Sequence, residues 1–226
     1  MKKNSEHLAH AFFLALRKKS KILPLVDYGL PKPFFCERNK LLLLSVKLGL
    51  HLRNKVNSKR VGVVLPPGLA GTIANLAIFF SGKVPVNLNF SLGNKVARQL
   101  IEKAGITTIV TAGKMMEKFP EFPWTKDIFE ISSWLKGLVK SPHRLILEFI
   151  LLILPAKISA YFLQIPVRVT QQEATLLFTS GSSGEPKGVV LTHANILSNC
   201  QQIERLNLFD REAKILANLP LFHSFG

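Results

Sequence analysis

Apolar residues recur along this chain at two spacings, and the alternation between them predicts its elements. Near the start, "HLAHAFFLALRKKSK" holds a short apolar run, Ala11 to Leu16, with Glu6 before it and four cations from Arg17 to Lys21. No small-residue cleavage site follows, which argues against a secretory leader. The stretch reads as a short basic amphipathic helix, either lying on a membrane or packed on the domain. Leu41 to Val56, "LLLLSVKLGLHLRNKV", is apolar at helical spacing and ends in cations, as a helix C-terminus prefers. "RVGVVLPPG" predicts a buried strand over Val61 to Leu65, closed by Pro66, Pro67 and Gly68. An apolar helix over Ala70 to Phe80 follows, then a short strand in "KVPVNLNF". Asn94 to Ala104 reads as helix and "ITTIVTA" as a third strand. This order predicts an α/β fold, a mostly parallel sheet with flanking crossover helices.

Two segments depart from that rhythm. Met115 to Pro142 carries Pro120, Pro123, Pro142, both tryptophans and mixed charges, and reads as an irregular surface segment. Leu145 to Ile165, "LILEFILLILPAKISAYFLQI", is the most apolar region. A bilayer-spanning helix needs about 20 mostly apolar residues, and Glu148, Pro155 and Lys157 interrupt this one. Two apolar half-helices joined at Pro155 are expected instead. They could dip into one leaflet, cover a hydrophobic channel, or serve as ordinary core. Residues 115–168 thus form an irregular and apolar insert in a domain of residues 41–226, behind a basic lead-in of residues 1–40.

Charge sharpens the picture of that lead-in. The net charge of the 226 residues is +16. Residues 1–60 contribute 14 Lys/Arg against 3 Asp/Glu, so most of the excess sits in the first quarter. An acidic partner is implied: anionic lipid headgroups, an acidic carrier protein or nucleic acid. The plainer alternative is a solvated basic face. Nucleic acid is disfavoured because no recognition motif or interleaved aromatics accompany the charge. The two cysteines, Cys36 and Cys200, form no CxxC pair, and nothing points to an oxidising compartment. No zinc spacing occurs among the six histidines, so no metal-ligating residues are expected.

The candidate chemistry lies in "LLFTSGSSGEPKGVVLTH", Leu176 to His193. Ala174 to Thr179 and Gly188 to Thr192 both read as strands. Hairpin loops normally run about 2 to 5 residues, and the connection here is longer. Gly181 and Gly184 permit backbone shapes that gather several N–H groups into one concavity. Thr179, Ser180, Ser182 and Ser183 add hydroxyl donors. Lys187 adds a cation held close by the stiff Pro186. Donors plus a positioned cation suit a polyphosphate. The loop is not a GxxxxGK[ST] P-loop: Pro186 stands where its second glycine would be, Gly188 follows the lysine, and a strand follows in place of a helix.

"LLFTSGSSGEPKGVVLTHANIL" resembles the phosphate-binding signature of the adenylate-forming superfamily, the AMP-binding acyl-CoA and acyl carrier protein synthetases, luciferases and adenylation domains. "LANLPLFHSFG", Leu216 to Gly226, resembles a second family motif, a strand-to-helix corner lining the acyl and adenylate pocket. "FSGKVPVNLNFSLGNK", Phe80 to Lys95, is most similar to the acyl-acyl carrier protein synthetase half of bacterial 2-acylglycerophosphoethanolamine acyltransferases. The resemblance runs from about Leu41 to Gly226. It implies ATP and Mg2+ as cofactors, and a fatty acid carboxylate that attacks the α-phosphorus to give an acyl-adenylate. Acyl carrier protein or CoA then takes the acyl group as a thioester. It further implies that Thr179 to Lys187 hold the β- and γ-phosphates, and that His223 stands near the reacting carboxylate. His193 is expected to cap or pack the helix after the second strand. Localisation by this resemblance is cytoplasmic, with peripheral contact at the inner membrane left open.

The pattern also departs from the family. Relatives carry a downstream Tyr-Gly-x-Thr-Glu motif, a ribose-binding aspartate and a mobile C-terminal domain bearing the adenylation lysine. These are not found here, so the expectation is a fold incomplete at its C-terminus, a fragment or one piece of a split enzyme. The acyltransferase motif HxxxxD is also absent. The competing reading is a catalytically incomplete module that binds ATP, lipid or carrier protein.

Overall fold

The computed structural model describes residues 6–20, 22–137, 144–169, 173–179, 186–207 and 213–223. Its centre is a four-stranded parallel sheet: β3 (Arg60–Val64), β4 (Val84–Asn87), β5 (Thr108–Thr111) and β6 (Asp127–Glu130) in the order β4-β3-β5-β6. Before it come α1 (Leu8–Arg17), a small antiparallel pair β1 (Leu25–Asp27) and β2 (Phe34–Cys36), and α2 (Arg38–Lys55). The crossovers are α3 (Leu69–Phe80) between β3 and β4, and α4 (Asn94–Lys103) between β4 and β5. β3 and β5 are apolar on both faces and buried, as strands covered by helices on both sides must be. Thr111, the polar residue ending β5, is fully buried and donates its hydroxyl hydrogen to the Val64 carbonyl at 2.8 Å. The α/β expectation holds, with element ends within a few residues of those predicted.

Met115 to Pro142 departs from expectation over its described part. It holds α5 (Gly113–Lys118), the fourth strand β6 and α6 (Ile131–Gly137). Met115, Phe122 and Ile131 are buried in the core. One carboxylate organises this region. Glu130 accepts from the backbone N–H groups of Gly113 and Ser132 through Oε1 and of Ser133 through Oε2. Burial raises its pKa, but the Ser133 hydroxyl together with these backbone hydrogen bonds outweighs that and brings it down to about 2.

The apolar region does form two helices, α7 (Arg144–Leu152) and α8 (Ala156–Phe162), broken at Pro155. Two arginines tie them down. Arg17 donates to the Ser159 hydroxyl at 2.7 Å and to the Leu154 carbonyl at the elbow. Arg53 donates to the carbonyls of Leu163 and Gln164 after α8, and to that of Phe80 ending α3. No helix among the described residues is long and apolar enough to cross a membrane. The N-terminal helix packs on the domain: Leu8, Ala9, Phe13 and Leu16 of α1 are buried against α2, α3 and α8. After α8 come the antiparallel hairpin β7 (Glu173–Thr179) and β8 (Lys187–Thr192), then α9 (His193–Arg205).

Candidate functional site

The hairpin is where the sequence placed the chemistry, and its strands have the expected form. β7 is buried at Glu173, Ala174 and Leu176 and opens to an exposed Thr179, while β8 is largely exposed. Thr179 and Lys187 end up as cross-strand partners, and the Thr179 hydroxyl lies 3.5 Å from the Lys187 carbonyl. Both side chains are exposed. A hydroxyl and a cation therefore stand opposite each other at the last described pair of the two strands. Ser180, Gly181, Ser182, Ser183 and Gly184 lie outside the described residues.

The hairpin is fastened at its other end. Glu173, buried at the start of β7, accepts from Arg60 Nε at 2.7 Å and Lys59 Nζ at 2.9 Å. Burial pushes its carboxyl pKa up, yet the hydrogen bonds and charges of Arg60 and Lys59 prevail and hold it below the usual carboxylate range. Arg60 also donates to the Ala104 carbonyl. Thr175 donates its hydroxyl hydrogen to the Pro85 carbonyl of β4 at 2.7 Å. β7 is thereby fixed beside the parallel sheet.

After β8, Thr192 and Asn195 form a reciprocal capping box that starts α9. His193, the first helical residue, is buried and packs its ring 3.9 Å from that of His7. Its Nδ1 accepts from the Leu8 backbone N–H at 3.3 Å. The packing role expected for it is the one observed.

The second motif comes to the carboxyl edge of the sheet. In open α/β sheets that edge, where strand order reverses, is the usual ligand crevice. Here the reversal lies between β3 and β5. Leu221 reaches α3 so closely that a Cβ on Gly71 would lie 2.6 Å from its Cδ1. Phe222 stands edge-on to Phe90, which follows β4, at 5.3 Å between ring centroids. Phe90 in turn meets Phe119, which follows α5, at 5.0 Å. His223 extends from this cluster with an exposed side chain, and its backbone N–H donates to the Pro220 carbonyl. No strand occurs over the described residues 213–223, so the strand expected ahead of His223 is not formed there.

Sequence reasoning missed the supports of this edge. Asp27, from the small β1–β2 pair, accepts from the Leu69 N–H at the start of α3 at 2.7 Å. Asn75 of α3 and Asn87 of β4 exchange two amide hydrogen bonds. A cleft of about 580 Å³ opens between α2, α6 and α7, with Leu43, Leu44, Leu135 and Leu151 in its walls and Lys40 and Glu148 also lining it. Among the described residues no cluster of three His, Cys, Asp or Glu side chains could hold a metal ion.

The comparisons with known proteins agree on the fold. By structure, the chain is similar to a nonribosomal peptide synthetase in its AMPPNP-bound form, with a TM-score of 0.72 and 19% identity over 99% of this chain and 21% of that one. It is also similar to the fatty acid AMP ligase from Legionella pneumophila, with a TM-score of 0.67 and 16% identity over 95% of this chain and 35% of that one. By sequence, it is 25% identical over 173 residues to the anguibactin system regulator of Vibrio anguillarum, covering 74% of this chain and 14% of the regulator. A shorter match, 47% identical over 49 residues, is to the medium-chain-fatty-acid–[acyl-carrier-protein] ligase of Teredinibacter turnerae, covering 22% of this chain and 8% of that ligase. The chain thus spans a small part of the length of these relatives. Residues 40–226 match the family described as AMP-binding enzyme. With that match over most of its length, on the fold just described, the chain belongs to the AMP-binding enzyme family.

Proposed function

We propose that this chain supplies the phosphate-binding hairpin and part of the acyl pocket for ATP-dependent activation of a fatty acid. The carboxylate attacks the α-phosphorus of ATP, pyrophosphate leaves, and the acyl-adenylate forms. A thiol, of acyl carrier protein or CoA, then displaces AMP. The observation that carries the reading is the facing pair Thr179 and Lys187, which bound the Ser/Gly-rich segment in sequence, on a hairpin fixed to the sheet by Glu173. In this reading Thr179, Ser180, Gly181, Ser182, Ser183, Gly184 and Lys187 hold the β- and γ-phosphates. Neutralising charge as it shifts between oxygens is the main catalytic task in such chemistry. Mg2+ would come with the phosphates, since it is commonly held by one or two carboxylates together with substrate phosphates and not by a protein cage. His223, on the segment over the carboxyl edge, would stand near the reacting carboxylate.

Support for a fatty acid comes from two sides. The Teredinibacter and Legionella proteins bear fatty acid names. The leucine-walled cleft suits an aliphatic chain, with Lys40 and Lys47 in its lining balanced by Glu37 and Glu148. Lys187→Ala tests the reading. ATP binding, followed by calorimetry, should weaken about tenfold or more, as loss of a charge-assisted contact implies. Far-UV circular dichroism should not change, because Lys187 is exposed. An unaltered affinity for ATP would remove the phosphate role of this hairpin.

A further inference from the structure

The α7–α8 hairpin is apolar on the wrong side as well as the right one. Leu147 and Leu151 of α7 and Ala160 of α8 are buried in the core. Leu145, Ile146, Phe149 and Ile153 fall on the opposite face of α7 and its end, and Tyr161 and Phe162 extend that face along α8. They are large and open: Leu145 is 74% exposed, Ile153 67% and Tyr161 80%. A helix that is apolar all round is ordinarily buried all round. Contiguous exposed apolar surface of this kind marks an interaction site.

Charge identifies the occupant. Arg17 binds the Leu154 carbonyl and the Ser159 hydroxyl, so the basic end of α1 lies directly at the elbow between the two helices. Beside it a cleft is lined by Arg17, Lys18, Lys19 and Arg38, with Glu37 the acidic residue among its walls. Lys157, exposed in the first turn of α8, adds a cation beside the apolar face itself. An apolar helical face bordered by lysine and arginine is the pattern of an element lying in the plane of an anionic membrane surface. The apolar side chains enter the acyl boundary, and the cations meet phosphate headgroups.

We infer that the exposed face of α7–α8 and the adjoining Arg17–Lys19 cluster form a docking surface for an anionic lipid bilayer. The fatty-acid reading gives this contact its use, since such a substrate partitions into membranes. The geometry stands without it.

Vesicle co-sedimentation of the full chain tests the surface, with neither nucleotide nor fatty acid present, so that the result is separate from that at Lys187. The chain should bind vesicles of mixed phosphatidylcholine and phosphatidylglycerol and bind pure phosphatidylcholine far more weakly. Phe149→Ser with Ile153→Ser should lower binding at least about tenfold, because buried apolar area is lost. Lys18→Gln with Lys19→Gln should lower it roughly fivefold per lysine and reduce its salt dependence. All four positions are exposed, so circular dichroism should show an unchanged fold. Failure of the parent to bind mixed vesicles would overturn the inference, as would binding that both double variants retain. Light scattering supplies a further arm: a parent dimer that Phe149→Ser with Ile153→Ser dissociates, with no vesicle binding, would assign the face to a second copy and also overturn it.

Discussion

At the scale of single residues, two buried histidines should make this protein sensitive to acid. His7 sits at the N-cap of α1, its Nδ1 accepting from the Ala9 N–H at 3.0 Å, and packs on His193 at the start of α9. Both rings accept at Nδ1, so both are neutral when these bonds are made. Burial, with the neighbouring His193 second, lowers the His7 pKa from 6.5 to about 4. Burial lowers that of His193 too. The unfolded chain therefore binds protons first as pH falls. Stability is full above pH 6.5 and declines as pH drops toward 4, by roughly 3 kcal/mol for His7 alone. His7→Asn keeps a capping acceptor and removes the titration. Urea unfolding across this range should show a shallower acid slope for the variant, with stability near neutral pH changed by only about 1 kcal/mol. Equal slopes for the two proteins would place the acid sensitivity elsewhere.

At the scale of elements, the start of α3 shows how distant residues shape the carboxyl edge of the sheet. Gly68 precedes the helix with φ at 128°, a conformation that L side chains rarely adopt. A Cβ there would lie 2.6 Å from Asp27 Oδ2, the atom that accepts from Leu69 N. Gly68→Ala should thus cost about 2 kcal/mol or more, through strain and displacement of the carboxylate together. Asp27→Asn should cost less, about 1 kcal/mol, since its one amide oxygen can keep the Leu69 bond while the charge at the helix N-terminus and the bond that Oδ1 accepts from the Gly29 N–H at 2.8 Å are lost. Chemical unfolding midpoints in that order would confirm the arrangement. The Pro66-Pro67-Gly68 stop was legible in the sequence, but Asp27 was not, because nothing local connects residues so far apart. The same limit explains β6. "DIFE" is short, bears a charge at each end and follows two prolines, as an edge strand often does, so its period carried little signal. The buried strands β3 and β5 were plain because both faces are apolar. The break at Pro155 was plain because proline cannot continue a helix interior.

At the scale of the molecule, the site is a hairpin joined to a sheet, and Glu173 is the joint. The hairpin strands were legible from their apolar, β-branched composition, but the facing of Thr179 and Lys187 was not, since the sequence placed Lys187 in the connecting loop and started the second strand at Gly188. The anchor was not, since Lys59 and Arg60 lie more than a hundred residues before Glu173. Glu173 is buried and its two cations are partly exposed, so solvent screens the pair from one side. Glu173→Ala should therefore cost about 2 kcal/mol, less than a fully buried pair would. Its more telling effect is local. Hydrogen exchange should quicken in β7 and β8 and stay slow in β3 and β5, because the parallel sheet keeps its own ladder. If the turn holds phosphates, affinity for ATP should fall as well, although Glu173 stands at the opposite end of β7. Glu173→Gln, which keeps the shape and an acceptor for Arg60, should lie between parent and alanine in both measurements. Should exchange quicken across the whole sheet instead, Glu173 would be a general stabiliser of the core, and the position of the hairpin would be set by β4 and Thr175 alone.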